Sequence, residues 1–252
     1  MLESCLLRRY SGGLALFHAR PSSVRQLTLD IRPERAPHFD NFAIGENREA
    51  FDAVRMLSRF GQPAAIYLWG GAGCGKTHLL TAAAAETRAG GHETARAASL
   101  ADGEDFALPE GGLLCIDDVQ DLDEAGQAAL FRAYIRAPAK RCALLMAGDA
   151  PPSALRLRED VRTRIGQCLI FELAPLDDGH KAETLALYAL SLGLMLEPEL
   201  ITWLLEHGRR DLPSLLDAID TLDTVSLARR RSPSLPLLRE IAQESLFPTE
   251  TP

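Results

Sequence analysis

Residues 70–77 read Gly-Gly-Ala-Gly-Cys-Gly-Lys-Thr, a pattern suited to holding phosphate. Glycines at 70, 73 and 75 allow left-handed backbone, so main-chain N–H groups can turn inward on phosphate oxygens. Gly71 and Cys74 complete the loop. Lys76 brings an ammonium group to the β- and γ-phosphates, and Thr77 offers a hydroxyl to Mg²⁺. His78 follows, in a helix whose positive N-terminal end favours the same anion. About 40 residues later an apolar run ends in Asp117-Asp118. Asp117 suits a role in holding Mg²⁺ through water, and Asp118 suits the orientation of an attacking water. Asp149 closes another apolar run, from where it would reach between the γ-phosphate and the acids. Arg164 precedes the last such run. A guanidinium there, pointed at a neighbour's nucleotide, would stabilise charge in phosphoryl transfer in trans.

These groups need a scaffold that brings several strand ends together. The run Ala64–Trp69 predicts a strand leading into the loop, and Lys76 to Arg88 predicts a helix closed by Gly90-Gly91. A weak strand is expected over Thr94–Ser99, a buried one over the run Leu113–Asp118 that ends in the paired acids, and others over Cys142–Ala147 and Cys168–Leu173. Helical spacing marks Glu49–Arg59 and Glu124–Arg136. Strands alternating with helices over 38–175 imply a parallel α/β sheet. After Pro175 the pattern turns helical: Asp177–Leu194, Pro198–Glu206, Leu212–Ala228 and Leu235–Leu246. The expected organisation is a leader over 1–24, a peptide and linker over 25–37, an α/β domain over 38–175 and a small all-α lid over 176–252.

Composition narrows the functions. A net charge of −8 argues against tight, autonomous binding to duplex DNA. The run Arg229-Arg230-Arg231 reads as a solvated helix cap. No apolar run approaches the roughly 20 residues that span a bilayer, so no membrane partner is expected. Five scattered cysteines, without metal-ligand spacing, fit a reducing cytosol, and three of them are expected in buried strands. Cys74 reads as a tolerated small residue, although the helix start and Lys76 would favour its thiolate. Residues 1–24 lack the apolar core of a signal peptide and read as a disordered leader, with a translation start at Val24 as a further reading.

The order of these parts resembles the AAA+ nucleotide-binding fold, and the detail resembles its DnaA branch. His38-Phe39-Asp40-Asn41-Phe42 with Gly45-Glu46-Asn47 is similar to that branch's adenine-pocket entrance. Gly148 to Leu155 and Arg162-Thr163-Arg164-Ile165-Gly166 also follow its style. The segment Gln26-Leu27-Thr28-Leu29-Asp30-Ile31 resembles a sliding-clamp-binding peptide, in which Gln26, Leu27, Leu29 and Ile31 would fill a groove on the partner. With the chain stopping after the lid, this points to the Hda type, regulatory inactivators of DnaA.

That resemblance implies binding of ADP or ATP with Mg²⁺, docking on the DNA polymerase III β clamp, and contact with DNA only through the clamp. It also implies action on ATP held by a DnaA-type initiator, in the bacterial cytoplasm, with side-by-side AAA+ packing that would also allow a homo-oligomer. The lid arginine of the family aligns with Pro213, leaving Arg209 or Arg210 to substitute one turn earlier, or a lid that makes no contact with phosphate. Asp118 stands where vigorous AAA+ ATPases carry a glutamate, so weak intrinsic hydrolysis is expected. The rival reading is a self-assembling ATPase of the same clade, such as a helicase loader.

Overall fold

Five strands lie parallel in the order β2-β3-β4-β1-β5. They are β1 (Ala65–Trp69), β2 (Thr94–Arg96), β3 (Leu113–Ile116), β4 (Ala143–Gly148) and β5 (Leu169–Glu172). Strands β3 and β4 are buried at every residue, as sheet strands covered on both faces must be. The computed structural model describes residues 36–60, 64–96, 105–209 and 211–246. The expected leader, the possible start at Val24, the residues Gln26, Leu27, Leu29 and Ile31, and Arg210 lie outside the described residues, as does the far end of the expected strand to Ser99.

Alternation along the strands divides the core in two. Ile66 and Leu68 of β1 face α1 (Arg48–Phe60) and α2 (Lys76–Ala89), which contribute Phe51, Val54, Leu79 and Leu80. Tyr67 of β1 and Leu144 and Met146 of β4 face the other way. They meet α3 (Glu124–Lys140) and α4 (Glu159–Ile165) through Leu130, Ala133, Val161 and Ile165. The loop before α2 and the acids after β3 therefore emerge together at the C-terminal edge of the sheet, the place where open α/β sheets bind ligands.

Helix α3 runs beyond the expected end at Arg136 and includes Pro138. The proline gives up one hydrogen bond but sits in the last turn, where the helix is about to stop. Arg141 then caps it in a left-handed conformation (φ 50°). The cysteines also shift slightly from expectation. Cys115 lies in β3, but Cys142 and Cys168 each precede their strand by one residue. Burial pushes all three thiols up, Cys115 and Cys168 to about 12 and Cys142 to about 11, which keeps them protonated and inert.

The remaining helices, α5 (Asp178–Ser191), α6 (Pro198–His207), α7 (Leu212–Arg229) and α8 (Leu235–Leu246), enclose their own core around Leu185, Leu204, Ile219, Leu222 and Leu237. Asp177 caps α5 by accepting from the His180 N–H (2.7 Å), and Asp211 caps α7 by accepting from the Ser214 N–H (3.0 Å). Arg230 closes α7, while Arg229 and Arg231 both pair with Glu240 of α8. The arginine run is thus a helix cap, as its sequence position suggests. Among the described residues, no helix is long and apolar enough to cross a membrane.

Candidate functional site

The loop between β1 and α2 has the backbone its glycines allow. Gly73 (φ 76°) and Gly75 (φ 99°) take conformations that L side chains rarely adopt. A Cβ on Gly75 would stand 2.7 Å from the Phe42 ring, so Phe42 packs directly on the loop where α2 begins. At the loop's outer rim, a Cβ on Gly71 or Gly73 would meet no atom within 4 Å beyond the residue's own chain neighbours, leaving room for a bulky anion. Lys76 folds back over this rim and donates to the carbonyls of Gly70 (2.7 Å) and Gly71 (2.9 Å). Its ammonium lies 3.7 Å from the Cys74 sulfur, which is buried beneath the loop.

The segment expected at the adenine pocket holds this corner from the side. Phe42 stacks on Phe51 of α1 (5.7 Å) and meets the His78 ring edge-on (5.3 Å). The His78 Nε2 lies 3.0 Å from the His38 carbonyl, so the neutral ring donates there. Burial holds this imidazole below its usual value, ahead of the opposing effect of that hydrogen bond. Asn47 is buried and makes a two-way clasp on the connection from β5 to α5. Its Nδ2 donates to the Ala174 carbonyl (2.9 Å), and its Oδ1 accepts from the Ala174 N–H (2.8 Å).

The acids stand opposite the loop. Thr77 donates from Oγ1 to Asp117 Oδ2 (2.7 Å). This hydroxyl–carboxylate pair is the hard-oxygen set that Mg²⁺ takes, since Mg²⁺ binds through one or two protein oxygens and otherwise through phosphates and water. The residues present therefore fit the ion. Asp118 is exposed and left-handed (φ 48°, ψ 51°), a conformation that aspartate tolerates better than most residues. Its Oδ1 accepts from Gln120 Nε2 (3.2 Å), and Gln120 Oε1 accepts from the Asp149 N–H (3.2 Å). Gln120 thereby ties the ends of β3 and β4 together, a link that strand patterning does not reveal. Beside it, a Cβ on Gly148 would collide with the Tyr67 hydroxyl, which donates to the Ala150 carbonyl (2.7 Å). Burial first, and the Asp149 charge second, push the Tyr67 phenol far above its usual range, so it remains a donor.

Sequence reasoning also missed Arg96. It ends β2, the sheet edge beyond β3, and its Nη2 lies 3.7 Å from Asp117 Oδ2. Of the two lid arginines expected near phosphate, Arg209 is exposed and pairs with Asp211 (3.6 Å).

Arg164 is in a different setting. It is half-buried on α4, with its guanidinium carbon 5.7 Å from the Tyr134 ring and 5.9 Å from the Phe131 ring, both on α3. Its Nη1 donates to Gln167 Oε1 (3.1 Å). With Arg158, Asp160 and Thr163 it lines an open surface hollow. These partners belong neither to the phosphate loop nor to helices α5–α8.

Comparisons with known proteins agree with this geometry. Residues 34–109 match the family described as the bacterial DnaA ATPase domain, and residues 178–242 match the one described as the Hda lid domain. A Haemophilus influenzae protein described only as uncharacterized is 30% identical over 227 residues, covering 86% of this chain and 98% of that one. Domain III of the Thermotoga maritima replication initiation protein DnaA superposes with a TM-score of 0.68 at 18% identity, over 84% of this chain and 97% of that one. AMPPCP-bound DnaA from Aquifex aeolicus superposes with a TM-score of 0.61 at 23% identity, over 75% of this chain. This chain spans 66% of the length of that DnaA structure. At these identities the superpositions show a shared fold.

Proposed function

The chain belongs to the DnaA-related AAA+ family, of the Hda type, and from that premise we propose that it is a regulatory adaptor that promotes ATP hydrolysis on a DnaA-type initiator. In this reading the α/β domain spans 38–175 and the lid 176–252. The loop 70–77, with His78 beside it, holds ADP or ATP. Lys76 and the loop N–H groups would take the phosphates, and Thr77 and Asp117 would take Mg²⁺. The ion supplies charge neutralisation between the phosphates when bound. Asp149 and a lid arginine, Arg209 or Arg210, would complete the nucleotide's surroundings. Gln26, Leu27, Leu29 and Ile31 would dock the protein on the β clamp, so that DNA is met only through the clamp, in the bacterial cytoplasm. The outcome is an initiator left with ADP and unable to fire again.

The observation that carries this reading is the setting of Arg164. Its contacts are with two aromatic rings and one glutamine on an open face, and none is with its own loop. A guanidinium presented in that way suits a triphosphate held by a neighbouring module. There it would offset the charge that develops as water attacks the γ-phosphorus and ADP leaves. Asp118, exposed and bonded to Gln120, would orient water only weakly in its own site, consistent with slow intrinsic turnover.

The experiment is Arg164→Ala, assayed with initiator, ATP and clamp-loaded DNA. The stimulated hydrolysis should fall by at least about a thousandfold, while binding of fluorescent ADP and retention on the clamp stay as in the parent. Undiminished stimulation overturns the proposal. Fast hydrolysis by the purified protein alone, with no clamp retention, would instead favour a self-assembling ATPase.

A further inference from the structure

Arg96 has no part in the function proposed above, yet it stands at the metal corner. In the β2–β3 pairing it lies beside Cys115, whose thiol donates to the Leu80 carbonyl of α2 (3.6 Å). Arg96 is therefore on the α2 side of the sheet, the side from which Thr77 approaches. Both oxygens of Asp117 are engaged: Oδ2 accepts from Thr77 and faces Arg96, and Oδ1 accepts from the Asp118 N–H (3.1 Å). The Asp117 side chain is only 16% exposed, whereas that of Arg96 is 53% exposed. The carboxylate is thus fixed and largely shielded, and the cation reaches it from solvent along the edge strand.

A nucleotide brings two or three negative phosphates to a corner that already holds Asp117 and Asp118. Ordinarily a divalent cation offsets that crowding. A guanidinium does not lose its charge at any working pH, and its planar fork can address a carboxylate and a phosphate oxygen at once. An exposed ion pair alone contributes little. Here, however, the partner carboxylate is shielded and hydrogen-bonded to the loop itself, so the charge acts where the phosphates arrive.

We propose that Arg96 is a built-in cation at the metal corner, which makes binding of adenine diphosphate nearly independent of Mg²⁺. This rests on the reading that the loop 70–77 binds adenine nucleotide. The test titrates fluorescent ADP and, in parallel, fluorescent ATP into the full chain, in excess Mg²⁺ and in EDTA. The parent affinity should differ by less than about threefold between the two conditions. Arg96→Ala should bind within about twofold of the parent in Mg²⁺ and more than about tenfold weaker in EDTA. Arg96→Lys should restore most of the loss. Arg96→Gln, which keeps the reach and removes the charge, should repeat the alanine pattern and guards against a folding defect at the edge strand. Equal metal dependence in parent and Arg96→Ala overturns the proposal. So does a loss confined to ATP, which would put Arg96 on the third phosphate instead. A parent that binds ADP in neither condition refutes the nucleotide reading itself, and this one with it.

Discussion

The phosphate-loop corner and the α3–α4 face each hold cationic side chains, but they treat them in opposite ways. Around the loop, polar and charged groups are turned on one another: Lys76 on the carbonyls of Gly70 and Gly71, and Thr77 and Arg96 on Asp117. On the α3–α4 face, Arg164 rests on the rings of Phe131 and Tyr134 and makes one hydrogen bond to a neutral amide. Cation–π contact steadies a guanidinium without neutralising it. In the proposed function the first region would receive charge and the second would present it.

Mutations can break this contrast in order of size. The largest effect belongs to Arg164→Ala, whose thousandfold loss of stimulation should leave the protein's own nucleotide untouched. Lys76→Ala should do the reverse. Affinity for fluorescent ADP should fall by about a hundredfold, the scale of a charge-assisted hydrogen bond, with the far-UV circular dichroism spectrum unchanged. A finer test is Phe131→Leu, which keeps Arg164 charged but removes one ring. Stimulated hydrolysis should fall only about two- to fivefold, the range of one exposed cation–π contact, with no change in ADP binding. A larger loss would mean that the ring fixes the arginine's direction.

The smallest effect concerns His78. Burial depresses its folded-state pKa, so the unfolded chain takes up the proton first. Its contribution to stability is therefore present above the usual imidazole value of about 6.5 and is lost as pH falls through it. His78→Gln should show a smaller drop in melting temperature between pH 7.5 and 5.5 than the parent. An equal drop would remove His78 from the pH dependence.

The same contrast separates what was readable in the chain from what was not. The loop was legible because its parts are contiguous: strand, glycines, lysine and helix start all lie within fourteen residues of one another. Strand β3 with its acids was legible because a run buried on both faces is apolar throughout and must end in something polar. The setting of Arg164 was less so. Its place before β5 was expected, but the rings beneath it come from α3, whose outer face looks like any amphipathic helix. Gln120 was missed because its two partners close different strands, and Arg96 because β2 is three residues long in the structure and only weakly patterned.

The order of residues by itself determined the cradle for phosphate, the parallel strands and the helical segment that follows them, because each is set by neighbours within a few positions. Tertiary structure alone decided which side chains meet across strands. The sequence numbers the strands one to five, but the sheet places them two, three, four, one, five. Only that arrangement brings an arginine from the edge strand to Asp117, and leaves the arginine of α4 facing outward.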